Sequence, residues 1–316
     1  MEGITNYAYR EAHRECFPGI DRYYSPFIAA NQTYSMKTRE KEDTAPEHNS
    51  GVVLVPQILT NNADVFLWSL RQMSQRGWTT VNLNLGCPSA TVFTHGKGAG
   101  FLADPSRLDA FFEQVFEGLA AWPNSDTENP VIPPAVTVKT RIGIEDASEA
   151  PALLAVFNRY PIAELIVHPR LRKDFYKGEP DFDTYQLFYE EYRDPLTYNG
   201  DICSPADLRS ILARFPDTAR VMIGRGLITN PALVRILQGG PALTAEELMH
   251  FHDEVYTRQK AAMGSFQNTV GKMKELWYYM GSLFPSPDSA RLLKAVKKAR
   301  TETAYLEAAR ELCKQI

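Results

Sequence analysis

The stretch "NLNLGCPSATVFTHGKGAGFL", Asn82 to Leu102, decides the fold. It continues the apolar run "TVNLNLG" (80–86), which reads as a buried strand. The strand stops at Gly86-Cys87-Pro88, because glycine lets the backbone turn and proline cannot donate to a ladder. A loop with glycines at 96, 98 and 100 follows, and these are read as a source of flexibility. Asp104-Pro105 then reads as an N-cap followed by proline at the first helical position. Leu108, Phe111, Phe112, Val115 and Leu119 recur at helical spacing through 105–121. Strand, long loop and helix in that order make one βα unit.

The same unit recurs on both sides. Further strands are predicted at 20–27, 52–58, 135–143, 164–170, 195–200 and 219–226. Runs such as Val52–Val55 lack polar alternation, as expected of strands covered on both faces. Helices are predicted at 62–76, 149–159, 204–214 and 230–238, the last with Asn230-Pro231 as cap and first residue. The alternation predicts an α/β fold, a (β/α)8 TIM barrel. Seven strands are legible where the barrel needs eight, and "MEGITNYAYREAHREC" opens as a turn and a helix. The first strand is therefore expected to be missing or to lie upstream of Met1. Residues 28–50 are expected to form a long polar loop at the end of the barrel that carries active sites.

After about residue 240 no strand pattern remains. Thr244 and Glu247 form a capping box, and Ser286-Pro287 starts another helix. The expected organisation is a barrel domain over 1–240 and a C-terminal α-helical bundle over 243–316. Formal net charge is −4, yet from 258 to 316 eleven basic residues face five acidic ones. Lys272, Lys274, Trp277 and Tyr278 mix cations with aromatics in one predicted helix. That mixture suits RNA, and it also suits an ordinary solvated face with a packed tryptophan. No run approaches 18 apolar residues, and no secretory signal is read at the N-terminus. Cys16, Cys87, Cys203 and Cys313 are scattered, so neither a zinc site nor a disulfide framework is expected; a reduced, cytoplasmic protein is. His13, His48, His250 and His252 read as surface or helix residues.

Six strand ends carry polar or glycine positions: Gln57, Asn84 with Cys87, Lys139 with Arg141, His168 with Arg170, Asn199 with Asp201, and Gly224 with Arg225. Such a succession suggests one ligand over the barrel mouth. "YNGDI" and "IGRGL" place glycines and backbone N–H groups at the last two strands, where barrels often bind phosphate. Lys139 admits three readings: a lysine paired with an acid, a Schiff-base nucleophile, or a cation at the electron-rich edge of a bound ring. Cys87 would face the mouth beneath the loop.

"VNLNLGCPSATVFTHGKGAGFLADP" resembles the signature of the tRNA-dihydrouridine synthases, and "VPQIL", "VTVKTRIG", "IVHPRLRKDFYKGEPDF", "YNGDICSPADL" and "VMIGRGLITNP" extend the match in order. The resemblance implies a flavoenzyme that reduces uridine to 5,6-dihydrouridine in tRNA. FMN would be the cofactor and NADPH the electron donor, with hydride passing from FMN N5 to uracil C6 and a proton from Cys87 to C5. It also implies that Met1, Glu2, Gln57, Lys139, His168, Asn199, Gly200, Asp201, Gly224 and Arg225 hold FMN. With it, Lys272 and Lys274 become RNA-binding candidates, with ribosomal RNA as a second candidate substrate and no obligate protein partner. The alternatives are a barrel reductase of a small molecule, an RNA-binding protein with a vestigial flavin site, and an aldolase using Lys139.

Overall fold

The computed structural model describes residues 1–122 and 132–316. The chain opens with helix α1 (Tyr7–Cys16) and strand β1 (Tyr23–Ile28), then short α2 (Thr38–Asp43), β2 (Leu54–Ile58) and α3 (Ala63–Gln75). Strand β3 (Thr80–Leu85), the one-turn α4 (Ala90–Phe93), α5 (Pro105–Ala120), β4 (Ala135–Gly143) and α6 (Ala150–Phe157) follow. Next come β5 (Glu164–Leu171), α7 (Phe182–Glu191), β6 (Leu196–Asn199), α8 (Pro205–Arg214), β7 (Arg220–Met222), α9 (Arg225–Thr229) and α10 (Leu233–Leu237). The chain ends in four helices, α11 (Ala245–Met263), α12 (Phe266–Met280), α13 (Pro287–Lys298) and α14 (Glu302–Cys313).

The seven strands form one parallel sheet in chain order, β1 to β7, with helices between them. This is the α/β TIM-barrel arrangement followed by a C-terminal helical region, and seven strands are present among the described residues. Within those residues β1 and β7 each pair on one side only. Beneath the sheet, buried Glu164 of β5 accepts a hydrogen bond from Arg22, just before β1, at 2.9 Å. Arg220 of β7 lies 3.9 Å from the same carboxylate, and Thr197 of β6 donates to it. One carboxylate thus ties the foot of β1 to the last two strands.

Two large apolar cores follow from this. Val81, Leu83, Val138, Leu165 and Val167 fill the sheet side with Phe66, Phe112 and Phe157 from the outer helices. The second joins Leu248, Phe251, Met273, Trp277 and Tyr305 of the C-terminal helices to Tyr9, Ala12 and Phe17 of the N-terminal segment. Helix α1 therefore packs its apolar face on α11.

Several expectations need correction. Residues 28–50 are not one loop: they hold α2 and a 3-10 turn over Pro46–Asn49. Asn230 is not the N-cap of a helix over 230–238: it is the C-cap of α9, its side chain accepts from the N–H of Ala232 to close a local turn, and α10 starts three residues later. Helix α7 has no counterpart among the predicted helices. His13 and His252 are core residues. His13 bridges the Tyr23 hydroxyl and the Pro231 carbonyl, both at 2.9 Å, and burial pushes its pKa down to about 4. His252 bonds Asp253 and the Tyr305 hydroxyl, which also accepts from the Trp277 indole. Trp277 is accordingly core, and of that helix's aromatic pair only Tyr278 is exposed, at 72%.

Candidate active site

The residues singled out at the strand ends converge because the strands run parallel and in register. Asn84 of β3 is paired with Lys139 of β4, Arg141 of β4 with His168 of β5, and Asn199 of β6 with Met222 of β7. Side chains alternate along each strand, so Lys139 and Arg141 share one face.

A relay of amides runs across β2, β3 and β4. Asn82 Nδ2 donates to Thr137 Oγ1 (2.9 Å), Gln57 Nε2 to Asn82 Oδ1 (2.9 Å), and Asn84 Nδ2 to Gln57 Oε1 (2.7 Å). Asn84 Oδ1 then accepts the backbone N–H groups of Gly86 (3.0 Å) and Cys87 (2.9 Å). Buried amides need partners, and here each supplies the next. The end of the relay is the backbone of the cysteine. Sequence reasoning missed Asn82 and Thr137 as contributors; the signal was the pair of asparagines inside an otherwise apolar strand.

The loop after Cys87 is a tightly packed turn. The Ala99 N–H donates to the Cys87 carbonyl at 3.1 Å. Gly98 has φ +56°, and a Cβ there would lie 2.9 Å from the Cys87 carbonyl oxygen and 3.0 Å from its Cβ. A Cβ on Gly100 would lie 2.7 Å from the Phe93 carbonyl oxygen. Gly98 and Gly100 serve close approach of the backbone. Asn61 adds two side-chain hydrogen bonds, to the carbonyls of His95 and Gly96, both at 3.0 Å.

The far side of the mouth is cationic. Arg170 and Arg225 both bond the Asp201 carboxylate, which holds that acid below its usual pKa. Arg170 also donates to His168 Nε2 at 3.2 Å, so the ring proton belongs on Nδ1. Burial, and then the charges of Lys139, Arg141, Arg170 and Arg225, drive the His168 pKa far down and keep the ring neutral. Arg141 spans from the Gly86 carbonyl (2.9 Å) to those of Leu171 (2.8 Å) and Phe175 (2.6 Å). Tyr176 lies over this group, with the guanidiniums of Arg225 at 4.9 Å and Arg141 at 5.5 Å from its ring centre.

Lys139 makes no hydrogen bond or ion pair among the described residues, so no described acid is its partner. Burial and then Arg141 push its pKa down to about 7. Cys87 is half-buried, and burial raises its thiol pKa although Arg141 and Lys139 pull the other way. At neutral pH the group is a thiol rather than a thiolate.

Not every anticipated residue sits in the mouth with a free polar group. Asn199 spends its amide on the Met222 carbonyl at 2.8 Å, and the Glu2 carboxylate pairs with Arg39 at 2.9 Å. Met1 Sδ lies beside Gly224, 3.7 Å from where a Cβ would be. Lys272 is drawn to the N-terminal turn, donating to the Gly3 carbonyl (3.0 Å) and pairing with Glu275 (3.2 Å). Lys274 lines a cleft of about 480 Å³ with Glu2, Tyr278 and Tyr279, where the helical region meets that turn.

The sequence matches the family described as Dihydrouridine synthase (Dus) over residues 1–314. It is 28% identical over 311 residues to a tRNA-dihydrouridine(16) synthase of Cupriavidus necator, covering 94% of this chain and 91% of that one. A tRNA-dihydrouridine(16) synthase of Neisseria meningitidis is 26% identical, with 82% and 77% covered. A probable tRNA-dihydrouridine synthase of Rickettsia conorii is 24% identical, with 97% and 89% covered. Matched along nearly its whole length, and carrying the cysteine turn and cationic barrel mouth described above, the chain belongs to the dihydrouridine synthase family.

Proposed function

We propose that this chain reduces uridine to 5,6-dihydrouridine in tRNA, with FMN as cofactor, NADPH as electron donor and Cys87 as proton donor. The observation that carries the reading is the placement of Cys87: its backbone N–H is held by Asn84, and Arg141 bonds the carbonyl of the preceding Gly86.

The family depends on flavin, and the residues present fit that group. Lys139 is a cation or amine with no partner of its own among the described residues, and His168 keeps Nδ1–H for an acceptor. Arg170 and Arg225 share a single carboxylate, which leaves one positive charge in excess at the strand ends where a phosphate would sit. Gln57, Asn199, Gly200, Asp201, Gly224 and Met1 complete the proposed cradle, with Glu2 at its rim. A bound flavin would supply the hydride that reaches uracil C6.

The chain's own residues supply the rest. As C6 gains hydride, charge builds at C5 and O4, and the Cys87 thiol gives its proton to C5 from the opposite face of the ring. A raised thiol pKa keeps that proton in place until it is needed. Cations around the mouth offset the developing charge. The uracil must leave its stack, at a cost of a few kcal/mol that is lowest at an already distorted RNA loop.

In this reading residues 1–240 hold the cofactor and 243–316 hold the RNA, in the cytoplasm. No described helix is long and apolar enough to cross a membrane. Lys274, Lys297 and exposed Tyr278, whose ring lies 5.7 Å from the Lys297 ammonium, form the proposed RNA face together with Lys272. Mass-spectrometric mapping of dihydrouridine in tRNA and ribosomal RNA tests the proposal. Cells lacking the gene should lose the modification at defined tRNA positions, and unchanged tRNA would overturn it.

A further inference from the structure

The segment after Cys87 has a second anchor, independent of the amide relay. The Arg172 guanidinium, just past β5, lies 4.0 Å from the centre of the Phe93 ring and 5.4 Å from that of Phe175. Its Nε is buried and has no hydrogen-bond partner among the described residues. An arginine with an unsatisfied buried N–H is held there by its ring contacts, and the planar cation suits an aromatic face.

Both rings are themselves constrained. Phe93 is the last residue of α4, its backbone pressed against Gly100 so closely that no Cβ fits between them. One residue earlier in the chain, the Ala99 N–H bonds the Cys87 carbonyl. Phe175 has φ +51° and ψ −98°, outside the common regions for a residue with a side chain, and Arg141 Nη2 pins its carbonyl at 2.6 Å. The strained backbone presents the Phe175 ring to Arg172. A continuous path therefore runs from β5 through Arg172 to Phe93, Gly100, Ala99 and Cys87.

We propose that Arg172 is a positioning residue for the proton donor: stacked on Phe93 and Phe175, it clamps the Cys87 segment to the β5–α7 segment and fixes where the thiol sits. The role rests on the reading of Cys87 as the donor, but the clamp itself is measured without turnover. Arg172 touches no reacting atom.

The test is site-resolved alkylation of the apo-protein with iodoacetamide, read by peptide mass spectrometry, with buried Cys313 as the internal marker of global opening. In Arg172→Ala the Cys87 rate should rise tenfold or more while Cys313 stays unlabelled. Arg172→Lys, which keeps a cation over the ring, should return the rate to within about threefold of the parent. With tRNA, Arg172→Ala should lower kcat at unchanged flavin content. Equal Cys87 rates in Arg172→Ala and the parent overturn the proposal. If Cys313 becomes labelled in Arg172→Ala, Phe93→Leu replaces it under the same criteria. Retained dihydrouridine formation in a Cys87 variant would sink the donor reading while leaving the alkylation result standing.

Discussion

Asn84 Oδ1 accepts the backbone N–H of Cys87 at 2.9 Å, while Asn84 Nδ2 donates to Gln57. The side chain that caps the cysteine turn is thus itself oriented by a neighbouring strand. Asn84→Ala leaves two N–H groups and the Gln57 amide oxygen without these partners. It should cost about 1–3 kcal/mol of stability. Displacement of the thiol should lower kcat on tRNA by roughly 100-fold. Denaturant unfolding and single-turnover dihydrouridine assays check the two effects separately, and a variant destabilised at full kcat would show that the cap does not place the thiol.

Gly98→Ala probes the same turn sterically. Its Cβ would meet the Cys87 carbonyl oxygen and Val92 Cγ1, both at 2.9 Å, at a φ that only glycine adopts freely. A loss of roughly 1–3 kcal/mol is expected. Flavin content should be unchanged while turnover falls. Gly77 also has positive φ but nothing within 4 Å of a Cβ, so Gly77→Ala serves as the control, with a smaller stability loss and full turnover.

Lys139 makes the pH dependence specific. Its folded pKa of about 7 lies below its unfolded value. Between those values the unfolded chain binds the extra proton, so this group makes apo-protein stability rise with pH above 7. Lys139→Met should flatten that rise and stabilise the apo-protein at pH 7 by roughly 1–4 kcal/mol, at the expense of activity. Urea titrations from pH 6.5 to 9 test this, and parallel curves for the two proteins would contradict it.

The helical region carries the salt dependence. Lys274→Glu should weaken tRNA binding and lower the log–log salt slope by about one for each phosphate it no longer neutralises. Reversal of both Lys272 and Lys274 should flatten the slope further. Lys272→Glu should in addition loosen the N-terminal turn, since it removes the donor to the Gly3 carbonyl. Affinity measured across a salt series checks both, and an unchanged slope in the double variant would remove this face from the RNA path.

The seven strands were legible because parallel strands covered on both faces are mostly apolar, as in Leu165–Val167. The polar strand ends were legible as breaks in that pattern, and Cys87 by its place between glycine and proline. What stayed hidden is long-range. The opening of the chain reads as a turn and a helix, but nothing local says that Tyr9 and Ala12 pack against α11. His13 and His252 read as surface or helix residues, and nothing local shows that they are buried against partners 218 and 53 residues away. The glycines at 98 and 100 signal freedom in a sequence and close approach in the fold. Phe93 ends α4 and Arg172 follows β5, far apart in the chain, and only the barrel brings them together.

The placement of the proton donor is the claim on which the account rests, and Cys87→Ser tests it most directly. Stopped-flow reduction of the bound flavin by NADPH should be unchanged, because the thiol plays no part in it. Under single-turnover conditions with tRNA, dihydrouridine formation should fall at least 100-fold. Dihydrouridine formed at the parent rate by the serine variant would contradict the account.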